Sequence, residues 1–156
     1  DRRDGWSIGR RLRAGVPACA PRRLARVIVL DANVLIAHFE PADLHHAQAT
    51  ALLKAHFTDT FASSVVTLAE VYVGASRAGQ ADRLEQLLAQ LAISSLELPA
   101  DAARRLGELR ATTGLKMPDC CVLYTAVRHG AAIATFDDTL AKRANEIGLT
   151  VTAAGG

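Results

Sequence analysis

Residues 27–31 read Val-Ile-Val-Leu-Asp, an unbroken aliphatic run that ends in a carboxylate. Such a run, without polar alternation, is typical of a strand buried on both faces of a parallel sheet. A charged side chain directly after it is costly to remove from water unless it has a partner. The stretch therefore predicts a central strand with Asp31 at its carboxyl end, where open parallel sheets bind their ligands.

The chain beyond Asp31 alternates between short apolar runs and segments with helical periodicity. The further expected strands are 60–62, 93–98, 131–135 and 149–152. The expected helices are a short one at 33–39, then 41–57, 65–76, 81–91, one from Pro99 to a stop at Gly114, 118–128 and 138–147. This order predicts βαβ units, and hence one three-layer α/β/α sandwich with a short parallel sheet over residues 27–156.

The composition fits an ordinary globular domain, since 50% of the 156 residues are hydrophobic and 22% are charged. No apolar run approaches the roughly 20 residues of a membrane span, so we expect no membrane association.

Residues 1–26 contain eight arginines and two aspartates. Their net charge is +6. Because the whole chain has a net charge of +2, the remaining residues carry −4. We interpret residues 1–26 as a disordered basic extension, whose native origin the residues leave open, that could contact phosphates nonspecifically.

The three cysteines do not suggest a disulfide framework, because Cys120 and Cys121 are adjacent in a predicted helix and Cys19 lies in the extension. Free thiols in a small core are typical of a reducing compartment. We therefore expect a cytoplasmic protein.

Three further acids stand where the predicted fold makes a charge noteworthy. Asp137 follows a predicted strand, as Asp31 does. Asp119 is the second residue and the only acid of a helix that begins at Pro118, where the helix dipole favours an anion. The rest of this helix is apolar nearly all round, which predicts that it is buried. Glu70 shares a helical stripe with Val66, Ala69 and Val73, which predicts that it faces the core.

Each acid also has an ordinary structural explanation, as a helix cap or as an ion-pair partner. Four acids that converge without a cation would raise one another's pKa values, whereas Mg²⁺ or Mn²⁺ prefers carboxylate ligands. No histidine–cysteine set has zinc-site spacing. Such a site could activate water and hydrolyse a phosphodiester in line, with one ion or two.

The chain resembles a PIN domain, and among PIN domains the VapC toxins of bacterial toxin–antitoxin pairs. Four stretches in order over residues 27–152 carry the resemblance. They are Val27-Ile-Val-Leu-Asp31-Ala-Asn33-Val-Leu-Ile, Ser64-Val-Val-Thr-Leu-Ala-Glu70-Val, Met117-Pro118-Asp119 with Thr125-Ala126, and Ala134-Thr135-Phe136-Asp137. Ala32, where many relatives carry Ser or Thr, departs from the pattern, and so does the extension that precedes Val27.

The resemblance implies an endoribonuclease that requires Mg²⁺ or Mn²⁺. Its acidic set, both catalytic and metal-binding, would be Asp31, Glu70, Asp119 and Asp137. Asn33 and Thr135 would lie next to the acidic set without belonging to it, and would orient a carboxylate or water. The resemblance further implies a homodimer, and a cognate antitoxin that blocks the acidic pocket.

Other side chains were weighed against this hypothesis. Lys116, Lys142 and Arg143 are the best candidates to contact RNA, although each taken singly is more typical of a solvated surface. The five histidines are not expected to be catalytic, because metal-activated water can dispense with a side-chain base. Two alternatives remain open: another Mg²⁺-dependent phosphohydrolase, and a catalytically inactive PIN-like module that only binds a partner.

Overall fold

The computed structural model describes residues 25–152. Five strands alternate with helices in the predicted order. The strands are β1 (Val27–Leu30), β2 (Thr60–Ser64), β3 (Ser94–Leu96), β4 (Ala132–Ala134) and β5 (Val151–Thr152). The helices are α1 (Ala32–Phe39), α2 (His46–Ala55), α3 (Val65–Arg77), α4 (Ala81–Gln90), α5 (Ala102–Thr113), α6 (Met117–His129) and α7 (Asp138–Glu146).

The strands form one parallel sheet in the order β3-β2-β1-β4-β5, with β1 at its centre. Ile28 aligns with Phe61 of β2 on one side and with Ala132 of β4 on the other. Because all strands run the same way, their carboxyl ends meet at one edge. The predicted central strand is therefore confirmed, and Asp31 follows it at the centre of that edge.

Two hydrophobic cores cover the faces of the sheet. Ile28 and Leu30 belong to the core that α1, α2, α3 and α4 complete, whereas Val29 belongs to the core of α5, α6 and α7. Successive residues of β1 point to opposite faces, and all three are fully buried. This arrangement confirms the three-layer α/β/α sandwich. Among residues 25–152, no helix combines the length and apolar character that a membrane span needs.

Local sequence signals set several helix ends where they were expected. The Ser64 hydroxyl accepts a hydrogen bond from the backbone N–H of Thr67 and caps α3. Gly114 and Gly130 end α5 and α6 with φ of 70° and 57°, a conformation that glycine adopts without steric cost.

Three local expectations were wrong. The helix predicted from residue 41 begins only at His46, because residues 41–45 form turns. Asp119 is the third residue of α6, which begins at Met117 before the proline. The apolar character of α6 does not bury it all round, since Val127 is 52% exposed.

The predicted extension lies outside the described residues except for positions 25 and 26, and residues 153–156 also lie outside them. The backbone of Arg26 donates to the Asp59 carboxylate (3.0 Å), and its carbonyl accepts from the Thr60 N–H (2.8 Å). Pairing with the start of β2 therefore includes the residue before Val27.

Leu123→Ala is expected to lower the free energy of unfolding by about 2–5 kcal/mol, because the fully buried side chain leaves a cavity between α6 and the sheet. Val127→Ala on the exposed face of the same helix is the matched control, with a change within about 0.5 kcal/mol. Urea unfolding measures both. Equal losses would contradict the burial that the fold assigns to this helix.

Candidate functional site

The side chain of Asp31 lies at the carboxyl end of β1 and is only 6% exposed. One carboxylate oxygen accepts a hydrogen bond from the N–H of Ala32 and thereby caps α1, and the other accepts from the Thr135 hydroxyl, both at 2.7 Å. The backbone N–H of Asp31 donates to the Ala134 carbonyl at 2.9 Å. The carboxylate is therefore fixed between the ends of β1 and β4.

Thr135 connects Asp31 to two other polar residues. Its hydroxyl oxygen accepts from the N–H of Asp137 (3.0 Å) and from the side-chain amide of Asn33 (3.3 Å). The amide oxygen of Asn33 in turn accepts from the N–H of Phe136 at 3.2 Å. The Thr135 oxygen accepts from Asp137 and Asn33, whose groups are donors. The single hydroxyl hydrogen of Thr135 is therefore directed at the Asp31 carboxylate, which is the acceptor.

Asp137 caps α7, where one of its carboxylate oxygens accepts from the N–H of Leu140 at 2.9 Å. The cap explanation is therefore correct for Asp137, and Asp31 is likewise a cap. A cap uses one carboxylate oxygen, so the role does not exclude a ligand role for the other.

Glu70 and Asp119 reach the site from α3 and α6. The prediction that Glu70 faces the core was wrong, because the buried residues of α3 are Thr67, Leu68 and Val71, and Glu70 is exposed. The stripe that contains Ala69 and Val73 lines an open groove instead. Apolar residues at helical spacing do not by themselves distinguish a core from such a groove.

The four acids influence one another electrostatically. Burial raises the pKa of Asp31, and the charges of Asp137 and Glu70 raise it further against the lowering effect of its hydrogen bonds. Partial removal from water, although the side chain is largely exposed, and then the charge of Asp119 raise the pKa of Glu70. Burial, then Asp31 and Asp137, raise the pKa of Asp119. The structure therefore brings all four predicted acids within one electrostatic field.

No cation among residues 25–152 neutralises this field by direct contact. Within residues 25–152, none of the four carboxylates forms an ion pair with a lysine, arginine or histidine. Lys116 precedes the first turn of α6, and its charge lowers the pKa of Asp119. A buried carboxylate without a paired charge is energetically unfavourable, so the binding of a cation at this site would be favourable.

The donor chemistry fits Mg²⁺ or Mn²⁺, which prefer carboxylate oxygens and water. The side chains are not closed around a common point, however. In the described part of the chain, no three histidine, cysteine, aspartate or glutamate side chains form a group ready to hold a metal ion. Mutual repulsion among the like charges of the four carboxylates favours such a spread.

The three residues predicted to contact RNA differ in how directly they interact with the acids. Lys116 is exposed and adjoins Asp119 through its charge. Lys142 is exposed on α7, and Arg143 is paired with Glu146 at 2.8 Å, toward the end of the helix remote from Asp137. The structure thus associates Lys116 with the acids more directly than the other two.

One feature of the site was missed in the sequence. The His45 ring stacks on Phe136, with ring centroids 4.8 Å apart and planes 14° apart. Phe136 was part of a noted motif, but no sequence signal relates it to His45, because their contact depends on the turns before α2.

A sequence model of the PIN domain matches residues 28–146, which include all four acids. The chain belongs to the PIN domain family. No sequence relative was found among curated proteins.

Two of the solved structures similar to this PIN domain are described as a toxin–antitoxin complex and as a toxin. A toxin–antitoxin complex from Klebsiella pneumoniae has a TM-score of 0.66 and 28% identity, covering 82% of this chain and 98% of that one. VapC20 from Mycobacterium tuberculosis has a TM-score of 0.65 and 16% identity (74% and 94% covered). VapBC2 from Rickettsia felis has a TM-score of 0.62 and 18% identity (81% and 97% covered).

Asp31→Asn is expected to stabilise the protein at neutral pH in EDTA, because folding then no longer buries a carboxylate whose pKa is raised. Below the ordinary carboxyl pKa of 3.8, Asp31 is protonated in both the folded and the unfolded state, and no penalty arises. As pH rises through the raised folded-state pKa of Asp31, the wild type loses more stability than the Asn variant, which keeps only the penalties of Glu70 and Asp119.

Urea unfolding of the wild type and the Asn variant between about pH 3.5 and 7.5 measures this difference. Glu97→Gln in an exposed loop is the control, with a change within about 0.5 kcal/mol. A wild-type advantage that grows with pH would show that the ionised Asp31 is stabilised in the fold.

Proposed function

We propose that this PIN domain is a metal-dependent endoribonuclease and the toxin of a toxin–antitoxin pair. The observation that carries the proposal is the buried, hydrogen-bonded carboxylate of Asp31, which has no ion-pair partner among the described residues and is surrounded by the charges of three further acids. A charge that is costly in the free protein becomes favourable when a divalent cation binds. One similar structure, VapC20, is described as a sarcin–ricin loop cleaving toxin, which supports RNA as the substrate class.

Bound Mg²⁺ or Mn²⁺ would supply an activated water and neutralise charge on the phosphodiester. Asp31, Glu70, Asp119 and Asp137 would hold the ion, and both Mg²⁺ and Mn²⁺ suit their oxygen atoms. Asn33 and Thr135 would keep Asp31 in a fixed rotamer through the hydrogen bonds described above. These two side chains therefore orient the site without contacting the substrate.

Lys116 would receive the RNA backbone beside the acids, since it is exposed and its charge already acts on Asp119. Lys142 and Arg143 on α7 would extend this contact to neighbouring phosphates, with Arg143 exchanging Glu146 for phosphate. A cation in this position offsets the repulsion between an acidic pocket and a polyanion.

We also propose where the antitoxin binds. A groove of about 410 Å³ between α1, α3 and α4 is lined by apolar side chains such as Ile36 and Leu87. Glu40 and Glu70 line it too, so the groove leads into the acidic set. An antitoxin segment with apolar side chains and a terminal cation would fill this groove and neutralise Glu70, which would block the site.

A second groove, of about 910 Å³, supports a homodimer. It lies between α3, α4 and β3, and Val65, Val73 and Ile93 make it largely apolar. Arg77 and Glu85 line the same groove, so two copies related by a two-fold axis can pair each arginine with the partner's glutamate. We expect such a dimer to act in the cytoplasm, in line with the free buried thiols of Cys120 and Cys121.

The isosteric variants Asp31→Asn, Glu70→Gln, Asp119→Asn and Asp137→Asn are each expected to reduce RNA cleavage by about 100-fold or more, because each removes a ligand charge. Purified protein is incubated with total cellular RNA in Mg²⁺ or Mn²⁺, and in EDTA. The neighbouring Asp138→Asn, on the exposed first turn of α7, is the control and should cleave normally.

Discrete fragments that require both metal and all four acids would support the nuclease over both alternatives. Metal binding without RNA cleavage in any condition would contradict it and favour an inactive binding module. Cleavage that persists in all four variants would exclude the acidic set as the active site.

Val73→Asp is expected to convert a dimer into a monomer, because it introduces a charge into the apolar groove beside α3. Light scattering after size exclusion measures the mass. Val127→Asp is matched in chemistry and exposure (52% against 48%) but lies on α6, and should leave the dimer intact. A dimer that survives Val73→Asp would place the interface elsewhere.

A further inference from the structure

The His45–Phe136 stack lies at the border of the acidic set. Phe136 stands between Thr135, which donates to Asp31, and Asp137, which caps α7. The imidazole of His45 lies nearly parallel to the Phe136 ring, 4.8 Å away between centroids. An aromatic surface therefore lies next to one proposed metal ligand, Asp137, and next to Thr135, which hydrogen-bonds to a second one, Asp31.

Hydrogen bonds on both sides fix the backbone from which the two rings project. The N–H of Phe136 donates to the side-chain oxygen of Asn33. The N–H of His45 donates to the carboxylate of Asp43 at 2.8 Å, and its carbonyl accepts from the N–H of Ala49 in α2. A surface that is ordered before a ligand arrives loses little entropy on binding.

His45 differs from the two neighbouring histidines in what its ring does. The rings of His38 and His46 hydrogen-bond to the Thr50 hydroxyl and the Ala37 carbonyl, both within the fold. In the described part of the chain, the His45 ring makes no hydrogen bond, its Nδ1 lies 3.8 Å from the Asp43 carboxylate, within ion-pair distance when the ring is protonated, and half of its side chain is exposed. Folding therefore accounts for His38 and His46 but leaves a flat, accessible face on His45.

We propose that the His45–Phe136 stack is a platform for one nucleobase of single-stranded RNA next to the cleaved phosphate. This inference rests on the proposed ribonuclease function and assigns part of its substrate recognition. Bases have an uncharged π-face that stacks on aromatic and histidine rings, so they can approach an acidic border that repels phosphate. The base must be unstacked from its own strand, which favours loops and single strands over duplexes.

The test uses the variants His45→Ala and His45→Phe, with His129→Ala as control. His129 is exposed at the far end of α6, about 15 Å along the helix from Asp119. His45→Ala is expected to raise KM for a single-stranded RNA about 10-fold, with kcat within about 2-fold, because stacking contributes to binding. His45→Phe keeps a flat ring and should retain the wild-type KM.

Binding is measured separately from cleavage with an RNA that carries 2-aminopurine at successive positions, in the Asp31→Asn background. Stacking should quench the fluorescence at one position, and the quench should be lost with His45→Ala and kept with His45→Phe. Thermal melting of each variant confirms that the fold is unchanged.

Identical KM and quench for His45→Ala and His129→Ala would overturn the platform while leaving a ribonuclease that needs its carboxylates. A His45→Phe variant as defective as His45→Ala would also overturn it, because stacking would then not be the interaction. A His45-dependent quench, together with a protein that cleaves no RNA even with Asp31 intact, would support the platform and contradict the nuclease function.

Discussion

The site depends on one unfavourable interaction, the burial of the Asp31 charge at the end of the central strand. Two hydrogen bonds, from Ala32 and Thr135, hold the carboxylate but supply no net positive charge. The negative charges of Asp137 and Glu70 add to the penalty, and this repulsion raises the pKa of Asp31. Such an arrangement is typical of a binding site, because a structural role would be served by a neutral side chain at lower cost.

The parallel sheet explains why this charge has the neighbours that it has. Asp31 and Thr135 directly follow adjacent strands, so the hydrogen bond between them follows from strand pairing. α3 begins where β2 ends, and α6 packs against β1 and β2, so both helices carry their acids toward the same edge. The same edge also receives Phe136, and with it the ring of His45.

Much of this could be predicted from the sequence, because local signals determine it. The aliphatic run of β1, the Ser64 cap and the glycine at position 130 gave strand and helix ends close to the observed ones. The direction of Glu70 could not be predicted, since the stripe on α3 lines an open groove. The contact of His45 with Phe136 and the spacing of the acids depend on tertiary packing and carry no local signal. The roles of the four acids stay predictions.

The central claim is that the Asp31 charge is resolved by a divalent cation, and thermal unfolding with increasing Mn²⁺ tests it most directly. A ligand that binds only the folded state raises its stability in proportion to ln(1 + [L]/Kd). The account predicts that Mn²⁺ raises the Tm of the wild type progressively and leaves that of Asp31→Asn nearly unchanged. Equal shifts in both proteins, or none in the wild type, would contradict it.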